Sequence, residues 1–161
     1  MSLTEVSSIL WRERELLDLL LFKLEEESLL LAAGRSRWLG HATREVEMVL
    51  AEMKRAELGR AVEVEAVAVS LGLDRSASLR ELADAAPAPW GDILREHRSA
   101  FLTATEEISA LAQSNKDLLS AGYRAARETL MSFSEPEAKT YAHDGHAVQS
   151  VRGPRLLNQA I

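Results

Sequence analysis

Cysteine is absent from this chain of 161 residues, and several other residue types are scarce. Without thiols the chain forms no disulfide, uses no thiolate nucleophile and offers no cysteine-based zinc site. Aromatic residues make up only 5% of the sequence, so aliphatic side chains must form any core. The eight glycines and four prolines are few, which favours long, uninterrupted helices.

The chain also lacks both a basic character and a long apolar run. Its net charge of −6 argues against nonspecific binding to nucleic acid or to anionic membranes. The most apolar stretch, residues 16–24, is far shorter than the roughly 20 residues of a membrane span, and Asp18 and Lys23 interrupt it. Charged residues precede this stretch and no cleavage site follows it, so we expect a cytoplasmic protein without membrane insertion.

What the sequence does contain is apolar periodicity at helical spacing. Apolar residues make up 47% of the chain, which is enough for the core of one domain. The pattern predicts three long helices over residues 3–33, 36–71 and 90–133. The short connection at Gly34 makes the first two antiparallel neighbours, and the predicted fold is an all-α antiparallel bundle or coiled coil.

A short fourth helix is predicted between the second and third long helices. Ser78 and Glu81 have the spacing of a capping box, and Pro87 and Pro89 follow the helix. We therefore expect a helical domain over residues 1–133. The remaining residues, 134–161, begin with Ser-Glu-Pro-Glu and show no periodicity, which predicts an irregular tail.

The last long helix is predicted to be on the order of 65 Å long. Spacings of three and seven residues dominate its apolar side, as in coiled coils. Asn115 interrupts this side, where a polar residue either fixes the helix register or contacts a partner, and both alternatives stay open. The apolar side consists of Leu94, Phe101, Ile108, Leu111, Leu118, Tyr123 and Leu130.

Apolar residues exceed what one helix face needs in two places, the first helix and the end of the last one. Either core packing and dimerisation, or a surface that receives the amphipathic helix of a partner, accounts for this surplus.

No pattern of catalytic or metal-binding residues is recognisable. The Glu-x-x-His signature of di-metal bundles is missing, because Trp38 and Leu94 stand three residues before His41 and His97. The glycines are scattered, so no phosphate-binding loop exists. The acidic run of residues 25–27 is interpreted as a solvated face. We predict a protein that is not an enzyme and that holds no cofactor and no metal.

Two short segments resemble the FlgN-type flagellar export chaperones. The first is NKDLL at residues 115–119, an Asn followed by an aliphatic pair, and the second is YAHDG at residues 141–145. Three long helices, a short helix before the third and a C-terminal tail also resemble that family. The segments LWRERELL at residues 10–17 and LLLAAGRSRWL at residues 29–39 resemble its high-GC Gram-positive branch.

The resemblance implies a cytoplasmic type III secretion chaperone that binds the hook-associated proteins FlgK and FlgL through their helical C-terminal segments. It also implies docking to the export ATPase machinery. The alternative is a non-catalytic coiled-coil adaptor or a homodimer that associates through the same apolar side. The predicted partner-binding residues are Ile108, Leu111, Asn115, Leu118, Leu119, Tyr123, Leu130, Tyr141 and Gly145.

Overall fold

The computed structural model describes residues 2–134, and every regular element in this part of the chain is a helix. The all-α prediction is therefore confirmed, and the observed helix ends lie within one residue of the predicted ones. Apart from Ser134, the predicted tail lies outside the described residues. The helices are α1 (Leu3–Ala32), α2 (Ser36–Ser70), α3 (Leu79–Ala85) and α4 (Trp90–Ser134).

Capping boxes begin two of these helices. The Ser78 hydroxyl accepts a hydrogen bond from the Glu81 amide, and the Glu81 carboxylate accepts one from the Ser78 amide, as predicted for the start of α3. The same reciprocal pair joins Ser2 and Glu5 at the start of α1. Each box satisfies amide groups that have no partner within the first helical turn.

Glycines with positive φ angles follow the first two helices. Gly34 has a φ of 65° and Gly72 has a φ of 74°, a conformation that is strained for residues with a Cβ atom. Gly34 leaves only a short turn between α1 and α2, so these helices fold back on each other.

The contacts between helices show their relative directions. Lys23 in α1 pairs with Glu45 in α2 at 2.9 Å, whereas Glu13, earlier in α1, lies 3.4 Å from Arg60, later in α2. Helices α1 and α2 are therefore antiparallel. Ser7 contacts His97 and Leu24 contacts Asn115, so α1 and α4 are parallel.

The chain divides into two compact units, Met1–Ser120 and Ala121–Ile161. The first unit contains two apolar clusters, one at each end of α1. The cluster near the start of α1 also includes residues of α2, α3 and α4: Val6, Leu10, Val67, Ala68, Leu82, Ala83 and Leu94. The second cluster consists of Leu20, Leu24 and Val49, with Val46, Met53, Ile108 and Leu111 packed against it.

The two neighbours of α1 leave part of its apolar surface uncovered. Trp11, Phe22 and Leu29 are exposed although α2 and α4 both contact this helix. Trp38 in α2 is also exposed, and its ring lies 4.6 Å from the Arg37 guanidinium carbon. Within residues 2–134, no helix combines the length and apolar character that crossing a membrane requires.

Candidate partner-binding surface

The predicted site residues Ile108 and Leu111 lie in the first unit and face its core. Both side chains are partly buried, and they pack against the cluster that includes Leu20, Leu24 and Val49. This packing joins the middle of α4 to α1 and α2. The two residues therefore already have apolar partners within the chain.

Asn115 is the last buried residue of α4, with 2% of its surface exposed. Its Nδ2 donates a hydrogen bond of 2.9 Å to the carbonyl oxygen of Leu24 and another of 3.3 Å to Oε1 of Glu27. A buried amide NH2 group without an acceptor is costly, and this alignment of α4 with α1 gives Nδ2 two acceptors, while the buried Oδ1 has no hydrogen-bond partner among the described residues. These contacts favour the register role of Asn115 over the contact role.

Glu27 connects all three long helices at this level. Its Oε1 accepts the hydrogen bond from Asn115 in α4, and its Oε2 accepts one of 3.3 Å from the Thr43 hydroxyl in α2. The interpretation of residues 25–27 as a solvated face was wrong for Glu27, which is buried. Glu27 follows Leu24 by three residues and therefore lies on the same side of α1.

Every residue of α4 after Asn115 that the structure describes is exposed. Leu118 is 38% exposed and Leu119 is 39% exposed, and both belong to the first unit. The sequence pattern placed Leu118, Tyr123 and Leu130 on a buried side, and this was wrong because burial on α4 ends at Asn115. The predicted site residues thus fall into a buried group and an exposed group.

The described part of the second unit, residues 121–134, is one helical segment with exposed apolar side chains. Tyr123 is 70% exposed and Phe133 is 73% exposed, and Leu130 and Met131 are also exposed. The hydroxyl groups of Thr129, Ser132 and Ser134 donate hydrogen bonds to carbonyl oxygens of their own helix. The exposed apolar side chains are available to a partner.

The exposed group can bind another apolar surface through the hydrophobic effect. Exposed apolar residues that recur along a helix are typical of surfaces that pair with a second helix. In residues 2–134, no three His, Asp or Glu side chains gather as metal ligands would. Tyr141 and Gly145, the two remaining predicted site residues, lie outside the described residues.

Two polar contacts in the first unit were not predicted from the sequence. Glu13 lies with Arg60 at a cavity of about 310 Å³ that Leu17, Met53 and Ile108 also line. Burial raises the pKa of the Glu13 carboxyl, Arg60 opposes this shift, and Glu57 adds to it. The only sequence signal for the burial of Glu13 is its position three residues after Leu10 and four before Leu17, on the apolar side of α1.

The second contact joins α1 to α4 near their starts. His97 is buried, its Nε2 lies 3.2 Å from the Ser7 hydroxyl, and its ring packs edge-on against Trp11 at 5.0 Å. Burial lowers the pKa of His97, and the cationic Arg14 lowers it further. This histidine follows the apolar Leu94 by three residues, which is the signal for its burial.

A family model described as FlgN protein matches residues 1–149, which is most of the chain. The match includes all four helices and both of the short segments singled out in the sequence. No curated protein and no solved structure matches the chain.

Proposed function

Because the chain belongs to the FlgN family of flagellar export chaperones, we propose that it binds the hook–filament junction proteins FlgK and FlgL before their export. The bound part of each junction protein is its helical C-terminal region. Binding keeps the segment soluble and competent for export. The surplus of apolar residues at the end of the last helix is then a surface for a partner helix, and the protein is not a structural adaptor.

The observation that carries the proposal is the exposure of α4 after Asn115. Large apolar side chains are costly to leave in water, since burying one is worth about 1.5–3 kcal/mol. The exposed residues are Leu118, Leu119, Tyr123, Leu130, Met131 and Phe133.

An amphipathic helix is the form of partner that such side chains bind best. A junction-protein segment that becomes helical on binding exposes apolar residues at intervals of three and four, which match those of α4. The segment loses conformational entropy when it orders, and this loss consumes part of the interaction energy. The resulting affinity is moderate, as a chaperone that must release its cargo requires.

The predicted site residues are proposed to contribute in two ways. Leu118, Leu119, Tyr123 and Leu130 contact the partner directly. Ile108, Leu111 and Asn115 hold the middle of α4 against α1 and α2. Tyr141 and Gly145 complete the proposed surface on the basis of the family resemblance.

The family also supports several finer proposals. We propose that the protein acts in the cytoplasm, where cargo is held before export, and that it docks to the export ATPase machinery. It catalyses no reaction and requires no cofactor. We assign it to the high-GC Gram-positive branch of the family because of the resemblance in residues 10–17 and 29–39.

Calorimetric titration of the full chain with C-terminal peptides of FlgK and FlgL tests the proposal. The double substitution Leu118→Asp and Leu119→Asp places two charges in the proposed interface and should abolish binding. Both positions are exposed in the free chain, so circular dichroism and the urea midpoint should change little.

The control is Leu58→Asp, which introduces one aspartate at an exposed leucine of α2. It should leave the affinity for the peptides unchanged. Equal affinities for the native chain and for the Leu118→Asp/Leu119→Asp variant would contradict the proposed surface. Lack of binding by the native chain would contradict these partners.

A further inference from the structure

The side of α2 that faces away from α1 carries seven residues at alternating intervals of three and four. All seven are exposed. We call this set the α2 outer face: Met48, Ala51, Arg55, Leu58, Val62, Glu65 and Val69.

The apolar members of the α2 outer face have no cover in the described part of the chain. Met48 is 63% exposed and Leu58 is 64% exposed, whereas Val49 and Val67 are buried on the opposite side of the same helix. Helix α2 is therefore apolar on two opposite sides, only one of which packs against the bundle. The alternating spacing is that of the core positions of a coiled coil.

A second copy of α2 fits this face when the two helices run antiparallel. In antiparallel coiled coils, a core residue that follows the previous core residue by four positions packs against one that follows by three positions on the other helix. One register sets Leu58 opposite Val62 of the second copy and Ala51 opposite Val69. Each contact occurs twice, because a two-fold axis relates the two chains.

The charged residues of the α2 outer face distinguish this register from its neighbours. In it, Arg55 of each copy lies opposite Glu65 of the other copy, so that two ion pairs form. A shift by one heptad in one direction sets Arg55 opposite Leu58, and a shift in the other sets Glu65 opposite Val62. Both shifts place a charge against an apolar side chain without a counter-ion.

The ion pairs that Arg55 and Glu65 form within the single chain do not prevent them from pairing across the interface. Arg55 pairs with Glu52 at 2.8 Å and Glu65 pairs with Arg75 at 3.3 Å. All four side chains are about half exposed or more. Ion pairs of this kind contribute little to stability, so a pair within an interface can replace them.

Gly59 is compatible with the proposed register. It lies within the 35-residue helix α2, where glycine destabilises by about 1 kcal/mol relative to alanine. Its φ angle is not positive, and a Cβ atom added to it would meet nothing within 4 Å among the described residues, as is also true of Gly40. In the proposed register, Gly59 and Ala61 flank the two-fold axis, where small residues let two backbones approach closely.

We propose that the α2 outer face is a homodimer interface, in which two copies of α2 form an antiparallel coiled coil with Arg55 opposite Glu65. The partner is a second copy of this chain, because the face is complementary to itself in both shape and charge. The interface is separate from the α4 residues proposed to bind cargo, so a dimer presents two cargo surfaces.

Charge reversal tests the register. Light scattering of the native chain over a range of concentrations should show the mass approaching that of a dimer. Arg55→Glu alone and Glu65→Arg alone each turn two attractions into two repulsions and should weaken the dimer about ten-fold. The double variant Arg55→Glu/Glu65→Arg should restore the native dissociation constant. A native chain that stays monomeric, or a double variant no better than the single ones, would overturn the proposal.

Cross-linking tests the antiparallel direction, and the absence of native cysteines makes the experiment clean. One preparation carries Ala51→Cys and another carries Val69→Cys, and a short bismaleimide is added. The mixture should give a cross-linked dimer, whereas each preparation alone should not, because identical positions lie about 27 Å apart in this register. Cross-linking of either preparation alone would show a parallel dimer and contradict the proposal.

The variants also separate this proposal from the proposed function. Leu58→Asp should abolish the dimer and leave the affinity for the junction peptides intact. Leu118→Asp/Leu119→Asp should do the reverse. If both properties are lost in Leu118→Asp/Leu119→Asp and neither in Leu58→Asp, the dimer forms through α4 and the α2 interface is refuted.

Discussion

Asn115 in α4 donates a hydrogen bond of 2.9 Å from its Nδ2 to the backbone carbonyl oxygen of Leu24 in α1. The bond marks the point on α4 after which no described residue is buried. It therefore separates the part of the helix that packs in the bundle from the exposed part that we propose binds cargo.

Replacing Asn115 by alanine should lower the free energy of unfolding by about 1–3 kcal/mol, because the buried Glu27 carboxylate loses a hydrogen-bond donor. Urea denaturation followed by circular dichroism measures this change. Gln113→Ala is the control, since Gln113 is exposed and bonds only to Asp117 on its own helix. If Asn115→Ala keeps the native stability but loses the junction peptides, Asn115 is a contact residue instead.

Replacing Glu13 by glutamine should stabilise the chain at pH 7, because a neutral amide is less costly to bury than a carboxylate. Burial raises the pKa of this carboxyl, so the folded chain holds its proton more tightly than the unfolded chain does. Stability is therefore lost as the pH rises through the folded pKa, and glutamine removes this loss. The difference in urea midpoint between the native chain and Glu13→Gln should shrink as the pH is lowered from 8 to 4. A destabilised Glu13→Gln at pH 7 would mean that the ion pair with Arg60 outweighs the cost of burying the carboxylate.

His97 should make the chain less stable in mild acid. Because burial and Arg14 lower its pKa while Glu96 opposes them, the unfolded chain binds the proton more readily than the folded chain. Stability should thus decrease as the pH falls below about 6.5, the ordinary value for histidine, until the folded pKa is reached. Thermal midpoints from pH 5 to pH 8 test this. His97→Gln should flatten the dependence. An unchanged slope in His97→Gln would assign the effect to other groups.

Two glycine-to-alanine substitutions should change stability in opposite directions. A Cβ atom at Gly91, at the start of α4, would lie 2.8 Å from the carbonyl oxygen of Ala83 in α3, so Gly91→Ala should destabilise by about 1–3 kcal/mol. A Cβ atom at Gly40 in α2 would meet nothing within 4 Å among the described residues, so Gly40→Ala should stabilise by about 0.5–1 kcal/mol. Both are read from urea denaturation. A neutral Gly91→Ala would show that α3 shifts away without cost.

The helices themselves were predictable because their signals are local. Ser78 and Glu81 specify the start of α3 within four residues, and Gly34 ends α1 through the conformation of its own backbone. Apolar spacing also placed the core residue Leu94 on the apolar side of the last helix. The exposure of Trp38 was not predictable, because a periodic pattern does not show where the opposite helix lies.

The candidate partner-binding surface could also be predicted only in part from the sequence. The sequence located Asn115 and the apolar residues around it, but it left open which of them a partner could reach. Glu27 was assigned to a solvated run because its neighbours Glu25 and Glu26 are charged. Its burial depends on Thr43 and Asn115, which are 16 and 88 residues away along the chain.

The sequence by itself determined that this chain forms long helices without thiol chemistry, since caps, glycines and apolar periodicity act over a few residues. It also determined the spacing of the α2 outer face and the family to which the chain belongs. Only the tertiary structure decided that burial on α4 ends at Asn115 and that α2 carries an uncovered apolar side. Exposure depends on which helices stand opposite each residue, and that is a property of contacts between distant parts of the chain.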